Sequence, residues 1–345
     1  MENCPIKKYQ SFPFKRENGF DLPKEYSFSR KNEPVFPVKL WNNKRAWIIT
    51  NYRYFRKLIF DKRFSGDFSH FNFPTVTKAR KEIDKLEKAF VGMDNPKHGH
   101  YRNMFESEFT TKKMFNLKPK IESIADELLD KIELEGNHFD LVQDLAVELP
   151  AMVMCELFGS PYEDRHFVLK CAAGRHGLSQ SVIEAKESAN NLVKYCRELI
   201  KKKQKNIGTD MLSRVIQNYV LTDKLNIDEL SNICSMMLRA GHDTTTNMIS
   251  LGTLLFLENR EELNKFIKDE STTDTAIEEL LRYLSPVQFA PRRVALEDVE
   301  FMGASIQKGE GVFTIIPSAN RDDYAFEKPE NFNICRKKNN HMTFG

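Results

Sequence analysis

The stretch that decides the fold is "AGHDTTTN", Ala240 to Asn247. It lies within "SNICSMMLRAGHDTTTNMISLGTLLFLEN", whose flanks are apolar enough for a buried helix. Its centre nevertheless carries a glycine, a histidine, an aspartate and three consecutive threonines. Upstream, Asn226 is followed by Glu229 in capping-box spacing, which predicts a helix start there. Unbroken to Leu257, that helix would be about 45 Å long at 1.5 Å per residue. Threonine is a weak mid-helix residue whose hydroxyl bonds back to the carbonyl one turn earlier. Such bonding bends or widens a helix. Gly241 adds freedom and leaves room for a large flat ligand to approach the backbone. Ala240, Thr244 and Met248 share one face at i, i+4 spacing. Asp243 lies beside them, and a buried carboxylate is costly without a partner or a task. The group reads as a polar notch in an apolar wall, with a hydroxyl and an acid set to relay protons. A satisfied polar patch where two helices cross is the other reading.

Around this helix the pattern is mainly helical with a small β region, as one domain over residues 1–345. "PVKLWNNKRAWIITNY" predicts two short strands joined by a polar turn. "YRYFRKLIFD" predicts a short helix, and the aromatic stretch from Phe64 to Val91 a loop. In "KPKIESIADELLDKIE", Ile121, Ile124, Leu128, Leu129 and Ile132 fall on one helical face. "FDLVQDLAVELPAMVMCELFG" is helical with Pro150 as a kink or boundary, and "SVIEAKESANNLVKYCRELIKKKQ" follows. "DTAIEELLRYL" ends at Ser285-Pro286, and short strands follow in "RRVALEDVEF" and "GVFTIIP". From Ser318 the chain meanders.

Composition narrows the function. Hydrophobic residues are 41% and charged residues 29%, with a net charge of only +3. That balance suits a globular protein and gives no case for nucleic acid. The lysine run at Lys201 to Lys205 reads as a solvated helix end. The six cysteines form no C-x-x-C pair, which points to reduced thiols rather than a disulfide frame or zinc site. The first twenty residues lack the apolar core of a signal peptide. The most apolar run, Met236 to Leu257, is broken by Arg239, His242 and Asp243, so no membrane span is expected. These features place the protein in the cytoplasm.

Two further motifs matter by their order. "EELLR" puts Glu279 and Arg282 on one helix face at i, i+3. "DNPKHGHYRNMF" puts His98 and Arg102 at i, i+4, two donors for a dianionic group, with His100 on another face. Taken in sequence, "MDNPKHGHYRNMF", "AGHDTTTN", "EELLRYLSPV" and "SANRDDYAFEKPENFN" resemble the cytochrome P450 family of haem-thiolate monooxygenases over the whole chain. The soluble bacterial-type subgroup, near the fungal nitric oxide reductases, is the most similar, through "FPFKRENGFDLPKEY", "LFGSPYED" and "NMISLGT".

The resemblance implies the family's fold, haem b as cofactor, and NAD(P)H as electron source, directly or through a ferredoxin- or flavodoxin-type partner and its reductase. It makes Thr244 the alcohol that serves dioxygen and Asp243 the acid that helps deliver protons. His98, Arg102 and Arg293 would hold the haem propionates, with Ala240 and Gly241 against the ring. Glu279 and Arg282 would form a structural ion pair. Asn331 stands where many members carry arginine or histidine, and the resemblance does not move Arg336 into that place. Phe68, Met236, Val287 and Phe289 would wall a small apolar substrate. Phe344-Gly345 would open the family's cysteine loop, so the axial cysteine and the helix after it are expected past Gly345, and Cys335 is no substitute. The chain as written is then expected to be inactive and to leave apolar surface bare on the central helix. Two alternatives to the monooxygenase are a nitric oxide reductase of the same fold using NADH directly and a non-catalytic fragment. Asp243 and the stretch "FSGDFSHF" depart from the reductases.

Overall fold

The capping box forms. Asn226 donates its backbone N–H to Glu229 Oε2 at 3.0 Å and accepts the Glu229 N–H on Oδ1 at 2.9 Å. In the computed structural model, which describes residues 9–86, 88–136, 138–173 and 182–345, the helix that follows runs from Ile227 to Glu258.

In chain order the elements begin with α1 (Lys24–Asn32), β1 (Val35–Lys39), β2 (Arg45–Ile49), α2 (Tyr52–Phe60), β3 (Phe64–Ser65) and α3 (Lys78–Leu86). Then come α4 (Lys97–Glu106), α5 (Thr111–Glu135), α6 (Glu148–Phe158), α7 (Arg165–Ala173), α8 (Val182–Lys205) and α9 (Met211–Val215). The long helix is α10, followed by α11 (Arg260–Lys268) and α12 (Thr273–Leu284). Strands β4 (Phe289–Ala295), β5 (Val299–Phe301), β6 (Ala304–Ile306) and β7 (Gly311–Ile315) lead to the single turn α13 (Ile316–Ala319). Among the described residues no helix is long and apolar enough to cross a membrane.

The chain forms two compact units. The first comprises residues 1–81 and 251–345. Its sheet has the order β1-β2-β7-β4-β3, with β2 and β7 parallel and the other pairs antiparallel. β7 is buried along its whole length, which is why "GVFTI" reads as a continuous apolar run. The register of β4 on β7 shifts between Phe289 and Arg292, where Pro291 could not have donated to the ladder. One apolar cluster joins Trp47, Phe55, Phe64, Phe301 and Val312, and another joins Phe12, Tyr26, Phe36, Ile48 and Phe313. The predicted strands and their turn are all present.

The second unit, residues 82–250, is helical around Met154, Phe158, Leu192, Ile200, Leu212 and Leu230. Pro150 sits in the first turn of α6, where its missing N–H costs nothing. Gly159 ends α6 at φ 56°, and a side chain there would collide with Asp210 and Lys203. Asp210 caps α9 through the Ser213 N–H and holds Lys203 Nζ at 2.7 Å. Lys203 is thus a buried partner within a run expected to be wholly solvated, while its neighbours Lys201 and Lys202 are exposed. Burial would raise the Asp210 carboxyl, but Lys203 and Ser213 outweigh it and hold the group below its ordinary range. Glu108 behaves likewise: burial opposes ionisation, and Arg214 and Lys113 overcome it.

A carboxyl with a depressed folded pKa stabilises above its unfolded pKa and loses that contribution as pH falls through the folded value. Asp210→Asn is therefore expected to cost about 2 kcal/mol at neutral pH. The gap to the unsubstituted protein should close as pH drops below about 4. Thermal midpoints measured from pH 7 down to pH 3 check this, and a constant gap would refute it.

Two expectations need correction. Lys78–Leu86 is the helix α3, not loop; it buries only Ile83 and Asp84 and most of its other residues are charged, so the apolar period is too sparse to read. Leu129 is 45% exposed, because only the stripe through Ile124 and Ile132 of α5 meets the core. The helix expected from Ser181 is α8, whose described part begins at Val182; Ser181 itself lies outside the described residues. On α10, Leu251, Leu254 and Leu257 are 36%, 45% and 46% exposed. Cys155, Cys171, Cys196 and Cys234 are free and buried, Cys335 is free and exposed, and Cys4 lies outside the described residues.

Candidate active site

The three threonines on α10 do different things. Thr244 donates its hydroxyl to the Ala240 carbonyl at 3.0 Å, and Thr245 to the Gly241 carbonyl at 3.2 Å. Thr246 instead points at a side chain, with Oγ1 3.2 Å from His242 Nε2. Asn247 donates to the Asp243 carbonyl at 2.7 Å and Ser250 to the Thr246 carbonyl at 2.8 Å. Thr244, Thr245, Asn247 and Ser250 therefore bond to the helix's own carbonyls along its centre. That offsets the burial penalty these four side chains would otherwise carry.

Ala240 is exposed, Thr244 and Asp243 are half-buried, and Met236 is buried in the core of the second unit. Asp243 Oδ1 lies 3.3 Å from His242 Nδ1. Gly241 has a close neighbour. A methyl there would sit 2.5 Å from Met154 Sδ, so its bare backbone admits a thioether from α6. The small exposed surface beside the notch belongs to Ala240.

Helix α4 carries His98 and Arg102 one turn apart, as their spacing predicts. His98 is half-buried and meets the Phe90 ring edge-on at 5.8 Å. Arg102 and His100 are exposed. Tyr101 Oη donates to Glu229 Oε1 at 2.7 Å, which fixes α4 against the capped start of α10. The capping residue Glu229 thus serves two elements at once.

In the first unit Glu279 and Arg282 are both fully buried. Arg282 uses all five of its N–H donors. Nε and Nη2 reach the two Glu279 oxygens at 2.8 Å each, Nη1 reaches the Asn320 and Pro329 carbonyls at 2.8 Å each, and Nη2 reaches the Asn331 carbonyl at 3.1 Å. Glu279 in turn accepts from the Asn333 N–H at 2.9 Å, Arg336 Nε at 2.9 Å and Asn339 Nδ2 at 3.2 Å. Arg336 therefore does enter the charge network, which Asn331 supplements only through its carbonyl. No period in the sequence could place Arg336, since the meander is irregular. Asn320 escapes sequence reasoning for the same reason. It is buried, donates to Ser285 Oγ and Thr343 Oγ1, and accepts the Met342 N–H.

Arg293 lies on β4 opposite Val312, half-buried, with Nη1 3.0 Å from the Arg292 carbonyl. Phe68 is half-buried, 4.8 Å from Phe73, and the Arg292 guanidinium stands over both rings at 5.0 and 4.9 Å. Val287 is 37% exposed. Phe289 packs edge-on against Phe12 at 5.0 Å, a core contact. The expected wall residues thus divide: Met236 is buried in a core, Phe68 and Phe289 are half-buried, and Val287 is exposed.

Residues 175–343 match the family model described as Cytochrome P450. The chain is 33% identical to the vitamin D3 dihydroxylase of Streptomyces griseolus, over 97% of this chain and 82% of that protein. It is 33% identical to the pentalenic acid synthase of Streptomyces avermitilis, over 97% of this chain and 83% of that protein. Its fold matches the crystal structure of MoxA from Nonomuraea recticatena with a TM-score of 0.88 at 33% identity, covering 97% of this chain and 84% of that one. The identity over nearly the whole chain and the shared mainly helical fold with a small sheet lead to one conclusion: the chain belongs to the cytochrome P450 family.

Proposed function

We propose that this protein is a haem-dependent monooxygenase that inserts one oxygen atom from O2 into a small apolar organic substrate. The observation that carries the reading is the Asp243–Thr244 pair, held on the polar face of α10 beside the exposed Ala240. A relative bears the name vitamin D3 dihydroxylase, and an apolar molecule of that kind is the substrate class we propose.

The residues present fit haem b. Ala240 offers a small apolar surface next to the notch, and Arg102 offers an exposed guanidinium. Arg102 with His98 on α4 would hold a propionate by charge-assisted bonds. When bound, the haem supplies the oxygen activation. The chain's own contribution is the placement of protons. Thr244 keeps its hydroxyl proton on the Ala240 carbonyl, a neutral bond readily exchanged for a charged acceptor. Asp243, one residue before it, can carry a proton between water and that site. Glu279 and Arg282 are too enclosed to touch a substrate, so their part is structural. Electrons would come from NAD(P)H through a ferredoxin- or flavodoxin-type partner and its reductase.

The test is turnover under 18O2 with reduced ferredoxin, scored by mass spectrometry on an apolar substrate. One labelled oxygen in the product is expected. Stopped-flow mixing with nitric oxide and NADH, with no protein partner, is the opposing experiment. Prompt consumption of both would replace the monooxygenase with a reductase.

A further inference from the structure

We propose that His242 is a positioning residue for Asp243, oriented by Thr246. The inference deepens the proposed function, because it rests on Asp243 as the acid of the notch. The geometry is local to one turn of α10. His242 Nδ1 lies 3.3 Å from Asp243 Oδ1, and its Nε2 lies 3.2 Å from Thr246 Oγ1. The imidazole is enclosed, with its side chain 12% exposed, against 24% for Asp243.

A neutral imidazole has one donor and one acceptor nitrogen. An ionised carboxylate only accepts, so Nδ1 must carry the proton. Nε2 is then the acceptor, and the Thr246 hydroxyl must donate to it. Both contacts demand the same tautomer. Thr246 is free to meet that demand because it does not bond back to the carbonyl one turn earlier, as Thr244 and Thr245 do. That difference assigns separate tasks within the threonine run. Thr244 faces the chemistry, and Thr246 sets a ring that holds the acid in one orientation. The ring bonds one carboxylate oxygen and so narrows the positions from which Asp243 delivers its proton.

Two measurements test this, on the full chain loaded with haem. The first is independent of turnover. In protein labelled with 15N at histidine, the His242 ring, identified by its disappearance in His242→Asn, is expected to be protonated at Nδ1. Thr246→Val and Asp243→Asn should each shift its resonances. A ring protonated at Nε2, or one indifferent to both substitutions, overturns the inference. The second uses a bacterial ferredoxin and its reductase, recording NADPH oxidised and hydrogen peroxide released. His242→Phe is expected to lower coupled turnover about tenfold, the worth of one hydrogen bond. His242→Asn, whose amide nitrogen can stand near the place of Nδ1, should recover most of it. If Asp243→Asn lowers coupling and His242→Phe does not, the positioning role fails while the acid role stands. If Asp243→Asn changes nothing, the acid role fails and takes this inference with it.

Discussion

Glu279→Ala is expected to destabilise the protein by about 3–5 kcal/mol. The carboxylate accepts five hydrogen bonds, from Arg282, Arg336, Asn333 and Asn339, and neither it nor Arg282 touches water. Its removal strands two cationic side chains, one fully buried and one with a side chain 9% exposed. Breaking a buried pair in this way costs about 3–5 kcal/mol. That is a large share of the roughly 5–15 kcal/mol by which a domain is stable. Arg282→Lys should come close to the same loss, since an ammonium has three donors where the site has five acceptors in a fixed fork. Urea unfolding followed by circular dichroism measures both. A midpoint within experimental scatter of the unsubstituted protein would show that the network is ornamental.

The second large effect concerns chemistry. Asp243→Asn is expected to lower product formation about 100-fold, within the range a positioned acid–base group supplies. Stability should barely move, because Asn keeps the shape and the backbone carbonyl of residue 243 keeps its bond from Asn247. Thr244→Ala should act differently. Its hydroxyl bond to Ala240 is local, so the helix persists, but electrons should go to hydrogen peroxide instead of product. Product and peroxide measured together against NAD(P)H consumed separate the two. Unchanged product yield in both variants would remove the acid–alcohol pair from the mechanism.

Much of this is legible in the sequence, for physical reasons. The start of α10 can be placed because Asn226 and Glu229 satisfy each other's backbone groups, a local device that depends on no tertiary contact. The hairpin of β1 and β2 is legible from alternation around a polar turn. The Glu279–Arg282 pair can be placed because one helix face carries both members. What is lost lacks such locality. Arg336, Asn320 and Asn339 act from irregular chain, and only the folded unit brings them to Glu279 and Ser285. Helix α3 is lost because its one buried stripe is narrow and its charges conceal the period. Gly241 reads as a place of close approach, and Met154 does approach it, a neighbour that spacing along α10 cannot reveal because it comes from another helix.

The five donors of Arg282 have a consequence for the order of assembly. Residues 320 to 336 have no ladder of their own, and three of their carbonyls end on one side chain of α12. The irregular segment cannot close its backbone before that helix exists, and the helix cannot shed the segment without exposing a bare cation. The two should therefore open together. In native-state hydrogen exchange, amides such as Asn333, which bonds directly to Glu279, should exchange at the slow rate of the α12 core and not at the rate of a surface loop.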